Sequence, residues 1–424
     1  MDERSSAGRI LWVTEEPPDR ALGGGSIRQA HLFGALASSF PTDLVTVGHV
    51  ADERVLAAAC SVTELPRRWP RRTSHPVGRR ALDMSIALGS RYPLALYPAA
   101  PARRALAAEI AKRGGRHDLV CVEHETLAPL VRQSHEIPWL ITLHNRLTAM
   151  IESELARAPR RRQRSFRAHD LRKAQALERW TVSSYDRCIT CSEEDASALD
   201  ALAEGAAASR VTVIPNGVDL ALFRSTQVPD GPCVLLPGRL AFGPTVDAAV
   251  WFCTEIWPAI RAAVPDASFV LAGRSPVPEV LALDRLSGVT VRADVPSMVP
   301  YFESARVVVV PIRQGTGTRL KALEAMAAAR PVVGTTLGLE GIGARHGVNA
   351  LVEDDPKAFG DAVIELLRHD ELAGALGQSG RAHVERHYGW DPIGTQFVAV
   401  VSELLDQSRS GQPDRRPSSR SSAS

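Results

Sequence analysis

Lysine is scarce in this chain. Lys and Arg together number 50, yet the lysines are only Lys112, Lys173, Lys321 and Lys357. The rest of the positive charge is arginine, and with so much alanine beside it this reads as coding bias. The scarcity gives weight to Lys321, which falls in a loop-to-helix motif. Asp and Glu number 48, leaving a net charge of +2, so nucleic acid is not an expected partner. Long apolar runs are missing too. No stretch reaches the ~20 apolar residues that span a bilayer. Met1 to Gly8 lacks the apolar core of a secretory signal. A cytoplasmic protein is expected.

Several catalytic signatures are also missing. No Gly-Lys-Ser/Thr occurs, which excludes a P-loop. The loop from Glu15 to Leu22 is too long for a tight dinucleotide turn, no G-x-G-x-x-G follows, and Asp43 precedes the second predicted strand instead of ending it. Nicotinamide binding is therefore disfavoured. There is no D-x-D pair to hold a metal against a diphosphate, no Ser-His-Asp arrangement, and no carboxylate pair of glycosidase type. The six cysteines are scattered. Cys188 and Cys191 match C-x-x-C, but they lie in a predicted strand without a second Cys/His pair. They read as buried structural thiols, not a zinc site.

The chain has 424 residues, 45% of them apolar and 23% charged, as in a soluble two-domain globular enzyme. Apolar strand-like runs alternate with helical patterns throughout, so a doubly wound α/β architecture is expected. The first set of strands is Ile10–Thr14, Leu44–Val47, Leu119–Val122, Leu140–Leu143, Cys188–Cys191 and Val211–Ile214. The second is Val234–Leu236, Ser268–Ala272, Val289–Arg292, Val307–Pro311, Pro331–Gly334 and Ala350–Val352. Pro215-Asn216-Gly217 and the Pro/Gly cluster to Pro232 mark a hinge. The boundaries expected are a first domain over 9–216, a linker over 217–231, a second domain over 232–389, a helix over 390–406 that crosses back, and a disordered tail over 407–424.

The motif at Gly315-Thr316-Gly317-Thr318-Arg319-Leu320-Lys321 follows an apolar run, Val307 to Ile312, and opens a helix. A glycine-rich turn entering a helix offers free backbone N–H groups and the positive end of the helix dipole. Arg319 and Lys321 add positive charge, and Glu324 lies in the second turn. A phosphate carrying a hydroxyl-bearing sugar fits this layout. Gly23-Gly24-Gly25 is a second glycine-rich helix entry, after the first strand. Gly238-Arg239 is a third anion candidate, because arginine bonds phosphate oxygens in bidentate fashion. His144 ends another apolar strand and is expected to face the same cleft. Arg157 to Arg179 reads as a helix with a basic face, either solvated or in contact with anionic headgroups or a phosphorylated acceptor. The basic run Arg67-Arg68, Arg71-Arg72 reads as a loop.

These motifs together resemble a retaining glycosyltransferase of the GT-B fold, in the large family 4 class, from about Arg9 to Leu405. Gly23-Gly24-Gly25, His144, Val213 to Asp219, Gly238-Arg239 and Gly317 to Met326 carry the resemblance. The stretch Asp247 to Phe252 and Gly315 to Lys321 is closest to the exopolysaccharide-associated branch. The resemblance implies two Rossmann-like domains facing across a cleft, the first on the acceptor side and the second holding a nucleoside diphosphate sugar. It implies that Glu324 bonds the ribose hydroxyls. It implies that Arg239 and Lys321, with Gly238 and the stretch Thr316, Gly317, Thr318, Arg319 and Leu320, hold the diphosphate. Loops after Ala272 and Arg292, at Gly273, Arg274 and Val295, would hold the base. Gly24 and Gly25 would approach from the first domain, and His144 would contact the donor sugar.

The resemblance further implies retention of configuration, no cofactor beyond the donor as co-substrate, and no essential metal. The acceptor would be a glycan, a lipid-linked molecule or a small molecule, with peripheral contact at the inner membrane face an added expectation. Acceptor selectivity would lie in first-domain loops, about Leu65 to Pro101 and Thr148 to Arg167. Two positions depart from the family pattern. Thr316 stands where many members carry a glutamate, and Ala241 to Thr245 lacks the usual lysine. A catalytically silent partner subunit is the alternative these departures motivate, and a sugar-nucleotide epimerase is a second rival.

Overall fold

The computed structural model describes residues 8–20, 23–67, 92–93, 96, 99–113, 115–130, 136–156, 161–203, 210–315 and 317–410. They build two all-parallel sheets. The first contains β1 (Ile10–Thr14), β2 (Thr42–Val47), β3 (Ser61–Leu65), β4 (Leu119–Glu123), β5 (Trp139–Thr142), β6 (Arg187–Thr190) and β7 (Val211–Val213). Its order is β3-β2-β1-β4-β5-β6-β7. The second contains β8 (Cys233–Arg239), β9 (Ser268–Arg274), β10 (Val289–Ala293), β11 (Val307–Val310), β12 (Val332–Gly334) and β13 (Leu351–Val352), in the order β10-β9-β8-β11-β12-β13.

Helices cover both faces of each sheet, so the central strands are apolar end to end. Ile10 to Val13 and Val307 to Val310 are fully buried, which is why they read as continuous runs and not as alternation. In both sheets the order reverses beside the first strand, between β1 and β4 and between β8 and β11. Strands on either side of such a reversal send their connections to opposite faces, which opens a crevice at their carboxyl ends. Two such crevices face each other here. This is the GT-B arrangement of two Rossmann-like units.

Differences from the sequence reading are local. β3 was not expected; its residues are partly exposed, as befits an edge strand. β8 and β9 each run two to three residues further than their apolar segments suggest, because their glycine-arginine ends stay in register: Gly238 pairs with Gly273 and Arg239 with Arg274. Most of the expected loop at Thr148–Arg167 is helical, in Leu147–Ala156 and the start of Arg161–Ser184. Part of the other expected selectivity loop, at 68–91, lies outside the described residues, as do 68–72 of the second basic run and 411–424 of the tail. The last helix is Trp390–Arg409; it starts where expected and runs on through 407–409 of the expected tail. It packs on the first domain: Ala35 would lie 2.7 Å from a Cβ at Gly394, and Trp390 stacks on His31 with ring centroids 4.5 Å apart. No helix among the described residues is long and apolar enough to cross a membrane.

Candidate functional site

The helix Leu320–Ala327 is amphipathic, with Leu323, Met326 and Ala327 fully buried. Lys321 and Glu324, three apart, share its opposite, cleft-facing side. Arg319 caps the helix without a side-chain bond to its N–H groups. Its buried guanidinium leans on the Gln314 carbonyl at 3.5 Å. Gly315 and Gly317 have φ of 91° and 85°, a left-handed conformation that glycine adopts without strain. Thr316 lies outside the described residues.

Lys321 reaches across the crevice to the end of β8. Its Nζ donates to Thr245 Oγ1 at 3.4 Å and would stand 2.7 Å from a Cβ on Gly238. A Cβ on Gly273 would meet the Gly238 carbonyl oxygen at 1.6 Å. The paired glycines therefore let two backbones and an ammonium converge where side chains would collide. Arg239, next along, is exposed and makes no side-chain hydrogen bond or ion pair among the described residues. Burial pushes Lys321 down to about 7, with Arg319 adding to the effect and Glu324 opposing it. Burial likewise pushes Glu324 up to about 7 against the pull of Lys321.

Beyond β9 and β10 the chain forms a small ledge. Arg274 is exposed and Val295 buried. Ser275 and Asp294, at φ of 53° and 49°, are tied by the Ser275 N–H donating to Asp294 Oδ1 at 2.7 Å. This link was not legible in sequence.

The first domain supplies the facing wall. The helix Gly24–Ser39 starts at Gly23 with no side-chain cap, so its first-turn N–H groups point into the cleft. A Cβ on Gly24 would be 2.8 Å from Leu320, and one on Gly317 would be 2.6 Å from Asn145 Oδ1. Thr318 Oγ1 donates to the Cys191 carbonyl at 3.5 Å. The two glycine-rich helix starts thus meet across the cleft. Arg28, on the same helix, is buried and donates to the carbonyls of Ile214 and Pro215 and to Asn216 Oδ1. This fastens the glycine-bearing helix to the hinge.

His144 lies two residues past β5, 7% exposed, with its Nδ1 3.2 Å from a Cβ on Gly25. The sequence reading singled it out but missed its neighbours. Glu123 Oε2 is 2.7 Å from His144 Nε2, and Glu125 Oε2 accepts the His144 backbone N–H at 3.2 Å. His124 stacks on His144 with centroids 4.4 Å apart and planes within 8°. His124 holds φ at 87°, a conformation that costs a non-glycine residue roughly 1–3 kcal/mol and concentrates at functional sites. Burial works against charge on His124, but Glu125 and Glu15 outweigh it and hold the ring up at about 9. Burial, with His124 and Arg28, holds His144 well below the ordinary histidine value. Glu123-His124-Glu125 is visible in the chain as three ionisable residues closing an apolar run; that density at a strand's carboxyl end was the available signal.

Cys188 and Cys191 are free, buried thiols, pushed up by burial. Among the described residues no group of three or more His, Cys, Asp or Glu is placed to hold a metal ion.

Comparison with known proteins follows the same division of the chain. The Glycosyltransferase Family 4 model matches residues 31–222 and the Glycosyl transferases group 1 model matches 231–369. D-inositol 3-phosphate glycosyltransferase 1 of Catenulispora acidiphila is 28% identical over 330 residues, covering 70% of this chain and 75% of that one. The D-inositol 3-phosphate glycosyltransferase of Corynebacterium urealyticum is 31% identical over 122 residues, and the match spans 28% of each chain. Among solved structures, Anabaena HepE in complex with UDP-glucose superposes with a TM-score of 0.65 at 14% identity, covering 93% of this chain and all of that one. Identity that low speaks for the fold alone.

Proposed function

The chain belongs to the family 4, group 1 glycosyltransferases, and from that premise we propose that it moves a sugar from a nucleoside diphosphate donor to an acceptor hydroxyl, with retention and without an essential metal. One observation carries this reading: an uncapped helix start, a partly buried lysine and an exposed arginine converge from two domains on one crevice. Departure of a nucleoside diphosphate develops negative charge, and preorganised cations and amides stabilise it most as it forms. Lys321, Arg239 and the amides of Gly317 and Thr318 take that role. Glu324 accepts from the ribose hydroxyls, the ledge at Gly273, Arg274 and Val295 holds the base, and His144 contacts the sugar. The cation missing from Ala241–Thr245 is supplied from the other side of the crevice by Lys321, on the helix Leu320–Ala327. That substitution supports an active enzyme over a silent partner subunit, and fits the exopolysaccharide-like motif.

The identifying experiment is a screen of nucleoside diphosphate sugars by thermal shift, since a ligand that binds only the folded state raises its apparent stability. UDP-glucose is the first probe, given HepE. No stabilisation by any donor would sink the reading.

Donor affinity should peak near neutral pH. Above about 7 the shielded Lys321 sheds its proton and a cation is lost; below about 7 Glu324 gains one and ceases to be a charged acceptor. Calorimetry of the bound nucleoside diphosphate one pH unit either side of neutral should show weaker binding at both. An affinity flat across that range would remove this pair from the donor site.

The acceptor is a glycan, a lipid-linked molecule or a small molecule such as the phosphorylated polyol in the names of the relatives. The helix Arg161–Ser184 helps choose. It exposes Arg161, Arg164 and Arg172, and exposed charge is screened over ~10 Å at 0.1 M salt. If the acceptor is a membrane lipid, the protein will bind phosphatidylglycerol vesicles at low salt, and replacing these three by glutamine will release it without changing donor binding. Indifference to such vesicles would point to a soluble acceptor.

A further inference from the structure

A transferase binds two substrates, and this protein has two facing crevices. Lys321 and Arg239 claim the one between β8 and β11 for the diphosphate. Its counterpart in the first sheet, where the order reverses between β1 and β4, is left for the second substrate. Glu15 and His124 are the first residues beyond those two paired strands. Thr126 Oγ1 donates to Glu15 Oε1. The other carboxylate oxygen of Glu15 makes no hydrogen bond or ion pair among the described residues, although the side chain is half-buried. A carboxylate so placed keeps acceptor capacity where water is partly excluded.

The cations on the surrounding loops are already answered. Arg20, after β1, pairs with Asp52 at 3.3 Å; Arg67, after β3, pairs with Glu16 at 3.7 Å; Arg146, after β5, pairs with Asp195 at 3.1 Å. Arg103, half-buried, gives one nitrogen to the carbonyls of Leu96 and Thr126 and is drawn to Glu15. His124 carries a proton at neutral pH. Its Nδ1 lies 3.5 Å from Glu125 Oε2, and its charge attracts Glu15 as well. Burial pushes the Glu15 carboxyl up, against the pull of His124 and Thr126. A phosphomonoester entering here would meet an open carboxylate and cations whose charge is taken, which disfavours it. A hydroxyl would meet a free oxygen.

We propose that Glu15 binds the acceptor: its open oxygen takes a hydroxyl of the acceptor ring and selects an unphosphorylated polyol or sugar over the corresponding phosphomonoester. This rests on the glycosyl-transfer reading and narrows it. Of the acceptors open to that reading, it sets the phosphorylated polyol aside. Thr126 fixes the orientation of the carboxylate through the opposite oxygen, so the open one has a defined place.

Two measurements test this. The first needs no acceptor. The full chain, saturated with the nucleoside diphosphate that stabilises it, is titrated with inorganic phosphate by calorimetry. Wild type should show no binding that depends on Arg103, and Glu15→Arg should gain binding. Phosphate binding in wild type that Arg103→Gln abolishes overturns the proposal. The second uses the donor found by thermal shift and a panel of rings, each beside its phosphomonoester, beginning with myo-inositol, glucose and mannose. Wild type should favour the unphosphorylated member of each pair that reacts. Glu15→Gln, which keeps the size, should raise KM for that ring about tenfold, as expected for one charge-assisted hydrogen bond, and leave KM for the donor unchanged. Glu15→Arg should reverse the preference. A phosphorylated ring favoured by wild type, or an acceptor KM unmoved in Glu15→Gln, counts against the proposal. If Glu15→Arg does not fold, Glu15→Gln decides; if no ring reacts, the phosphate titration of wild type and Arg103→Gln decides. Failure of every donor to bind wild type would sink the transferase reading instead, so the two failures are told apart.

Discussion

Lys321→Met should lower kcat about a hundredfold, the scale on which one preorganised charge stabiliser acts in a shielded site. The lysine stands at the crevice between β8 and β11, against Gly238 and Thr245. It is shielded enough that burial lowers its affinity for a proton. Shielding raises the value of the charge once the leaving diphosphate arrives, because little water is left to screen it. Methionine keeps the length of the side chain and most of its volume, so the helix should stay in place. The loss should fall on kcat as well as kcat/KM, because the charge on the diphosphate grows as the glycosidic bond breaks. Arg239→Ala, at an exposed position, should show the same pattern with a smaller loss, since solvent already screens that charge. Single-turnover rates with the donor found by thermal shift decide it. Wild-type turnover in both variants would show that the diphosphate lies elsewhere.

Glu324→Ala should weaken nucleoside diphosphate binding tenfold or more, because charge-assisted hydrogen bonds to hydroxyls contribute roughly 1.5–3 kcal/mol. The variant has a second effect to separate. Glu324 is the group that favours charge on Lys321 against burial and Arg319. Removing it should drive the lysine further toward its neutral form at pH 7, so part of the lost affinity should return as pH is lowered. Calorimetry at neutral pH and one unit below separates the two: the ribose bond is lost at both, and the lysine charge is regained at the lower. Unchanged affinity at both would end the assignment.

How much of this was legible in the sequence differs from one part to another. The doubly wound class was legible because buried parallel strands must be apolar along their whole length, and Val307-Val308-Val309-Val310 has no other reading beside a glycine-rich helix entry. Lys321 and Glu324 were legible because three-residue spacing on a short amphipathic helix puts both on the side away from Leu323 and Met326. Arg239 was legible from its place after a strand. His144 was legible only as a lone histidine at a strand end.

The rest depended on contacts between residues far apart in the chain. Glu123 and His144 are 21 residues apart, and Arg28 is nearly 190 from the hinge carbonyls it binds. The pairing of Gly238 with Gly273 comes from register between β8 and β9, and nothing local announces it. Local pattern determined which segments are strands, which helix starts lack a side-chain cap, and where positive charge enters a glycine loop, because those follow from periodicity and backbone stereochemistry over a few residues. Only the tertiary structure decided which of those ends meet, that Lys321 comes to rest against the end of β8, and that Glu123 and His124 gather around His144. Strand order and the packing of one domain on the other fix these, and both are properties of the whole chain.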